Sequence, residues 1–217
     1  PDGRCKFGDA RGNGYVRSEG AAILALKRLS DALADKNPIY ALIRGSAVNN
    51  DGRSSGFLTT PGGAGQEDLL RKAYQNAGIS PGQVQYVEAH GTGTRAGDPV
   101  EIGALGAVLR QDRPAGQFCR VGSVKTNFGH TEGAAGAAGL IKVALSLKHR
   151  YIPASLHFQE PNPAIPWNEL PVRIQAKGEA WPEHVGPAVA GVSAFGIAGT
   201  NAHIVLQEAP PVEPSAP

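Results

Sequence analysis

Methionine is absent from the 217 residues, and cysteine occurs only as Cys5 and Cys119. Two cysteines cannot build the disulfide framework of a small secreted scaffold, so a reducing, cytoplasmic location is expected. They are also too few for a four-cysteine zinc site, and no metal site is expected. A dominant charge is missing too: 21 basic residues face 19 acidic ones, with no Lys/Arg block. A nucleic-acid groove or membrane-surface patch needs clustered basic residues, so neither partner is expected. The apolar stretch 133–147 is interrupted by Lys142, which excludes a membrane span there. With no methionine and no signal-peptide pattern, the sequence reads as a piece of a longer polypeptide.

Hydrophobic residues make up 41% of the chain, enough for a core, and 29 glycines with 17 prolines imply many tight turns. Strand-like and helix-like segments alternate. The pattern predicts a strand over 20–29 leading into a helix at 31–34, and a strand over 39–44. Turn chemistry fills 49–65, and a helix over 66–77 ends at Gly78. A strand over 84–89 precedes a helix opened by Asp98 as N-cap and Pro99 in the first turn, running through Leu109. A strand over 121–124 comes before a Gly/Ala-rich helix over 131–149, read as central and buried because small residues on every face admit close neighbours. Strands over 188–193 and 202–206 flank the loop Phe195-Gly-Ile-Ala-Gly-Thr-Asn201. Such alternation implies an α/β layered architecture. Residues 208–217 read as the start of a Pro-rich linker, after which another domain is expected.

Two generic motifs are weak in their context. Gly52-Arg-Ser54-Ser-Gly56 fits a serine-hydrolase elbow, but turn-rich sequence follows where a helix is required. Gly91-Thr-Gly93-Thr-Arg-Ala96 resembles a dinucleotide fingerprint, but the helix is expected to begin only beyond the glycines. Two histidines in matched contexts are more telling. His90 and His130 each follow a strand within a glycine-rich turn, where a rigid frame can expose a reactive side chain. One such histidine alone is more often a turn cap or a core hydrogen bond; two together weaken that reading. At a helix N-terminus the dipole would keep His130 neutral, leaving an N–H donor for an oxyanion. Lys125 and Glu132 flank His130, either as an ordinary ion pair or as an electrostatic brace for the site. The glycines of the 195–201 loop either present N–H groups to an oxyanion or simply make a hairpin turn. His149, His157, His184 and His203 lack ligand spacing and are read as structural, as are both cysteines.

VEAHGTGT with GDPVE, then SVKTNFGHTEGAAG, then GVSAFGIAGTNAHIVL resemble β-ketoacyl synthase domains of type I polyketide synthases. PDGRCK at the start and GYVRSEG over 14–20 share the likeness, which runs over nearly the whole chain. The resemblance implies a thiolase-like layered αβαβα fold, of which this chain supplies mainly the C-terminal half. About 1–80 would close the first half, and about 81–207 would form the second. It implies a decarboxylative Claisen condensation: an enolate from a malonyl-type extender attacks an acyl chain held on a cysteine. Both substrates ride on the phosphopantetheine arm of acyl carrier protein, and the domain itself binds no cofactor. By resemblance His90 and His130 are catalytic, with Lys125 and Glu132 supporting them. Thr92 and Thr94 line the pantetheine channel, the N–H of Ile197 contributes to an oxyanion hole, and Phe195, Gly196, Gly199 and Asn201 form the gate loop. Many relatives have phenylalanine at the position of Ile197, so the gating of acyl entry is expected to differ here. The family's nucleophilic cysteine would lie upstream, in a segment that neither Cys5 nor Cys119 matches, so this chain alone is expected to be inactive. Expected partners are acyl carrier protein, the N-terminal ketosynthase half, and a second copy in the complete domain. Two alternatives stand beside this: a non-catalytic half that docks with a chain carrying the cysteine, and a thiolase-fold acyltransferase of another type. The thiolase pattern wants a cysteine near the final hairpin, where this sequence has Gly199-Thr-Asn-Ala-His203.

Overall fold

The computed structural model describes residues 2–52, 62–183 and 186–210. The elbow residues Ser54 and Gly56, His184, and the tail beyond residue 210 lie outside the described residues.

A six-stranded mixed sheet organises the chain. Its strands are β1 (Ala41–Asn50), β2 (Tyr86–Glu88), β3 (Cys119–Gly122), β5 (Val172–Ile174), β7 (Val189–Phe195) and β8 (Thr200–Glu208), in the order β1-β8-β7-β2-β3-β5. The strands β7, β2, β3 and β5 run parallel to one another, whereas β8 is antiparallel to both β7 and β1. A small second sheet pairs β4 (Tyr151–Ile152) with β6 (Glu179–Ala180). The short helix α1 (Leu29–Ala34) precedes β1.

One sheet face carries α2 (Gly63–Ala77) and α3 (Gly97–Leu109). The stripe Leu69, Leu70, Ala73, Tyr74 and Ala77 recurs at helical spacing and buries α2 against the sheet. Gly78 ends the helix in the left-handed region, so that the Gly78 and Ile79 N–H groups reach the last carbonyls. Phe7, Leu70, Tyr74, Val87, Ile102 and Leu105 belong to this core. The opposite face carries α5 (Ala135–His149), where Leu140, Val143 and Leu147 pack with Tyr86, Ala190 and Trp181. Fully burying one such leucine or valine contributes about 2 kcal/mol. The result is helix, sheet, helix. Residues 41–77 join the same sheet and helix layer as residues 84–208.

Several expectations need correction. No strand forms over 20–29: no strand among the described residues pairs with it, Ile23 and Leu26 face solvent, Ile23 at 96% exposure, and Leu24 is half-buried against the core beneath α5. β1 runs to Asn50, past the expected strand end at 44, because β8 offers it a ladder as far as Thr200. Asp98 is not a cap. The helix begins one residue earlier, and the Asp98 carboxylate accepts N–H bonds from Gly8 and Gly93 instead. β3 ends at Gly122, and the following residues turn into the short α4 (Lys125–Phe128). The helix expected from Thr131 starts at Ala135 after a 3-10 turn over Glu132–Ala134, because Glu132 adopts a positive φ of 50°. It is also buried on one side only. Gly136 and Gly139 let α5 approach Ala194 and Val192, while a Cβ at Gly133 would meet nothing.

Candidate active site

Three parallel strands deliver the site at their C-terminal ends, where α/β sheets usually hold their ligands. β2 leads to His90, β3 leads through Ser123 to Lys125, and β7 ends in Phe195. His130 arrives from α4 and is fixed by the N-terminal segment. Its N–H donates to the Val16 carbonyl at 2.7 Å, and its own carbonyl accepts from Ser18 at 3.0 Å. The two imidazoles lie 5.2 Å apart between ring centres and cross at 82°.

Each ring is held in a defined state. The Glu132 N–H donates to His130 Nδ1 at 3.0 Å, and the Phe195 N–H donates to His90 Nδ1 at 3.3 Å. A nitrogen that accepts a backbone N–H carries no proton, so in each neutral ring the proton sits on Nε2. Neutrality follows from the surroundings. Burial pushes the His90 pKa well below the ordinary histidine value, and the nearby Lys125 cation adds to that. His130 is lowered for the same two reasons, with Glu132 opposing. The helix dipole expected to act on His130 is replaced by these causes, since α5 begins five residues later. Lys125 itself is buried, and burial lowers its pKa against the raising influence of Glu88 and Glu101.

Glu132 and Lys125 do not pair. The Glu132 carboxylate binds Arg17, with a shortest contact of 2.9 Å, and the backbone of Glu132 does the orienting. The Thr94 hydroxyl accepts the Gly97 N–H at the start of α3, and the Thr92 and Thr94 hydroxyls lie 3.3 Å apart. Phe195 stacks obliquely on His90, with 5.5 Å between ring centres. The loop glycines do not offer N–H groups: Gly196 donates to the Thr200 carbonyl and Gly199 to that of Gly196. They make a hairpin turn, and Ile197 stands exposed at its tip. Asn201 is buried at the loop base, donating to Asn49 and Asp51. His203 is structural, held between Ser193 and Tyr74.

Sequence reasoning missed the carboxylates beneath the histidines. Glu101 accepts the N–H groups of His90 at 2.7 Å and Gly91 at 2.8 Å, fixing the turn that presents His90. With Asp98 taking the Gly93 N–H, the donors a pyrophosphate would need at Gly91 and Gly93 are already used. Burial raises both carboxyls to about 7. The signal was available: Asp98 and Glu101 are three apart, so they share one helix face. Neither cysteine is poised as a nucleophile. Cys5 is buried beneath the Gly91 carbonyl with its thiol pushed up to about 12, and Cys119 is pushed up to about 11. A groove of about 940 Å³ opens at the other ends of the strands, lined by Arg44, Arg113, Arg120 and Arg173, and takes no part in this site.

A family model described as "Beta-ketoacyl synthase, C-terminal domain" matches residues 40–159. The chain belongs to the β-ketoacyl synthase family. Models for the N-terminal domain and the C-terminal extension of the same synthases match 1–32 and 161–217. A phenolphthiocerol/phthiocerol polyketide synthase of Mycobacterium tuberculosis is 50% identical over 99% of this chain. Erythronolide synthase EryA3 of Saccharopolyspora erythraea is 47% identical over all of it. The chain spans only 11% and 7% of those two relatives. A ketosynthase from module 6 of the bacillaene synthase of Bacillus subtilis superposes with a TM-score of 0.92 at 44% identity, over 97% of this chain and 38% of that one. An oxazolomycin ketosynthase domain from Streptomyces albus superposes at 0.93 with 40% identity, over 99% of this chain and 38% of its own. This ketosynthase chain therefore has the thiolase-like fold, supplying mainly its C-terminal half.

Proposed function

We propose that these residues carry the condensation half of a polyketide ketosynthase. The bond from the extender's α-carbon to its carboxylate breaks, carbon dioxide leaves, and the electron pair forms an enolate. That enolate attacks the carbonyl of a cysteine-bound acyl chain, and the cysteine thiolate departs. His90 and His130 donate their Nε2–H groups to the extender's thioester oxygen as it gains negative charge. The observation that carries this reading is that both Nδ1 atoms already accept backbone N–H groups, in adjacent rings held neutral. Preorganised donors of this kind act most strongly in a site screened from water.

The remaining roles follow the family. Lys125 supports the pair electrostatically, and Glu132 does so through its backbone. Thr92 and Thr94 border the pantetheine arm delivered by acyl carrier protein, so the domain needs no cofactor of its own. The Ile197 N–H serves the acyl oxyanion while the N–H groups of Gly196 and Gly199 are engaged elsewhere in the 195–201 loop. Phe195 moves with the loop as a gate, and Asn201 anchors its base. The acyl-bearing cysteine comes from a ketosynthase N-terminal half, and the complete domain pairs with a second copy in the cytoplasm. A second reading, a non-catalytic half that docks with a partner chain, draws support from the exposed apolar side chains Ile23 and Leu26.

Intact mass after incubation with an acyl thioester tests the division of labour. The 217-residue chain is expected to gain no acyl group, and an adduct on Cys5 or Cys119 overturns the proposal. In the complete ketosynthase, His90→Ala and His130→Ala are each expected to slow extender decarboxylation by about 10²–10³-fold. Acylation of the cysteine should persist. Unchanged decarboxylation in both variants would leave only the docking reading.

A further inference from the structure

Glu88 lies two residues before His90, is 1% exposed, and has no part in the chemistry above. Its Oε1 accepts the N–H of Val124, the residue next to Lys125. Its Oε2 accepts the Lys142 ammonium at 2.7 Å and the Tyr86 hydroxyl at 2.7 Å, and Lys142 also donates to that hydroxyl at 2.8 Å. Lys142 projects from α5, the helix that follows His130. One buried carboxylate thus joins the strand that presents His90, the turn that presents Lys125 and the helix that follows His130.

The surrounding backbone is shaped around this ion pair. A Cβ at Gly139 would stand 3.1 Å from Glu88 Cγ, and one at Gly122 would stand 2.9 Å from the Tyr86 hydroxyl. Two glycines from different elements therefore leave the space the network fills. An ion pair this buried is not explained by stability alone, because desolvation offsets most of the attraction. Its distinguishing property is geometric: each oxygen of Glu88 fixes a different element.

We infer that Glu88, clamped by Lys142 and Tyr86, is a positioning residue for extender decarboxylation that sets the spacing of His90, Lys125 and His130. The inference rests on the condensation reading and acts through the histidines. Glu88 itself touches no substrate.

The test uses the complete ketosynthase containing these residues, with two readouts. One is decarboxylation of malonyl carrier protein, and the other is acyl loading of the cysteine followed by intact mass. Glu88→Gln is expected to lower the kcat of decarboxylation by about 10²-fold, since misplacement of a catalytic group by about 1 Å costs that much. The KM for malonyl carrier protein should stay within about twofold, and loading should be unchanged. Lys142→Met is expected to give the same pattern, and the double variant no further loss, because the pair acts as a unit. Equal losses in loading and decarboxylation would reduce the network to a structural one and overturn the inference. So would wild-type kcat in Glu88→Gln, or losses that multiply in the double variant. If Glu88→Gln cannot be folded, Lys142→Met carries the same comparison. His90→Ala separates the two layers: if it keeps full decarboxylation, the condensation reading fails first. If it loses activity while both network variants keep theirs, only the positioning role fails.

Discussion

Single residues here trade solvation for position, and His203 shows the thermodynamic consequence. It is fully buried between Ser193 and Tyr74, and burial lowers its pKa to about 3. A free histidine takes up its proton near 6.5, so between about 6.5 and 3 the unfolded chain binds a proton that the folded one refuses. Stability from this group is therefore present above pH 6.5 and falls with acid by about 1.4 kcal/mol per pH unit across that window. His90 and His130 act in the same direction. Asp98 and Glu101, raised to about 7, act oppositely: the folded form protonates first, which adds stability as pH falls from above 7 toward 4. Denaturant unfolding measured from pH 7 to 4 should show the signed slope of stability against pH lower by close to one proton in His203→Gln than in the parent. Parallel slopes would mean that His203 titrates freely in the folded chain.

The elements divide into those legible in the sequence and those decided by distant partners. α2 was legible because its apolar stripe and its glycine cap are local. The His90 turn was legible for the same reason, being a short run after β2, whereas His130 follows the short α4 and not a strand. The segment 20–29 misled because an apolar run does not say whether a neighbouring strand exists to complete its ladder. Glu88 with Lys142 stayed hidden because the two are 54 positions apart, and no spacing rule joins them. Gly45 is a further distant constraint. It sits in β1 where a Cβ would come within 2.5 Å of the Ala77 N and 2.7 Å of its Cα, both backbone atoms at the end of α2. Backbone cannot step aside as a side-chain tip can, so Gly45→Ala must lift the helix or shift the strand. Overpacking of this kind is expected to cost about 3 kcal/mol in denaturant unfolding. A loss below about 0.5 kcal/mol would show that α2 sits farther from β1 than described.

At the scale of the whole molecule, the sheet is covered on both faces, yet the helix layer made by α5 has an open outer side. Leu145 is 41% exposed there. Ile23 and Leu26 are exposed at 96% and 72%, on a segment with neither helix nor strand whose Leu24 packs against the same core as α5. Isolated apolar side chains on a surface are ordinary, but a helix face and a neighbouring apolar segment left open together mark an interaction surface. The superposed ketosynthases are more than twice as long as this chain. Ultracentrifugation of the 217-residue chain is therefore expected to show self-association that rises with concentration, weakened by Ile23→Ser with Leu26→Ser. In the complete ketosynthase, the same two substitutions should leave association unchanged and lower stability instead, by about 1.5–3 kcal/mol for each side chain that is buried there. A chain that stays monomeric at high concentration, with stability indifferent to both substitutions in the complete domain, would mean that this surface meets water in both.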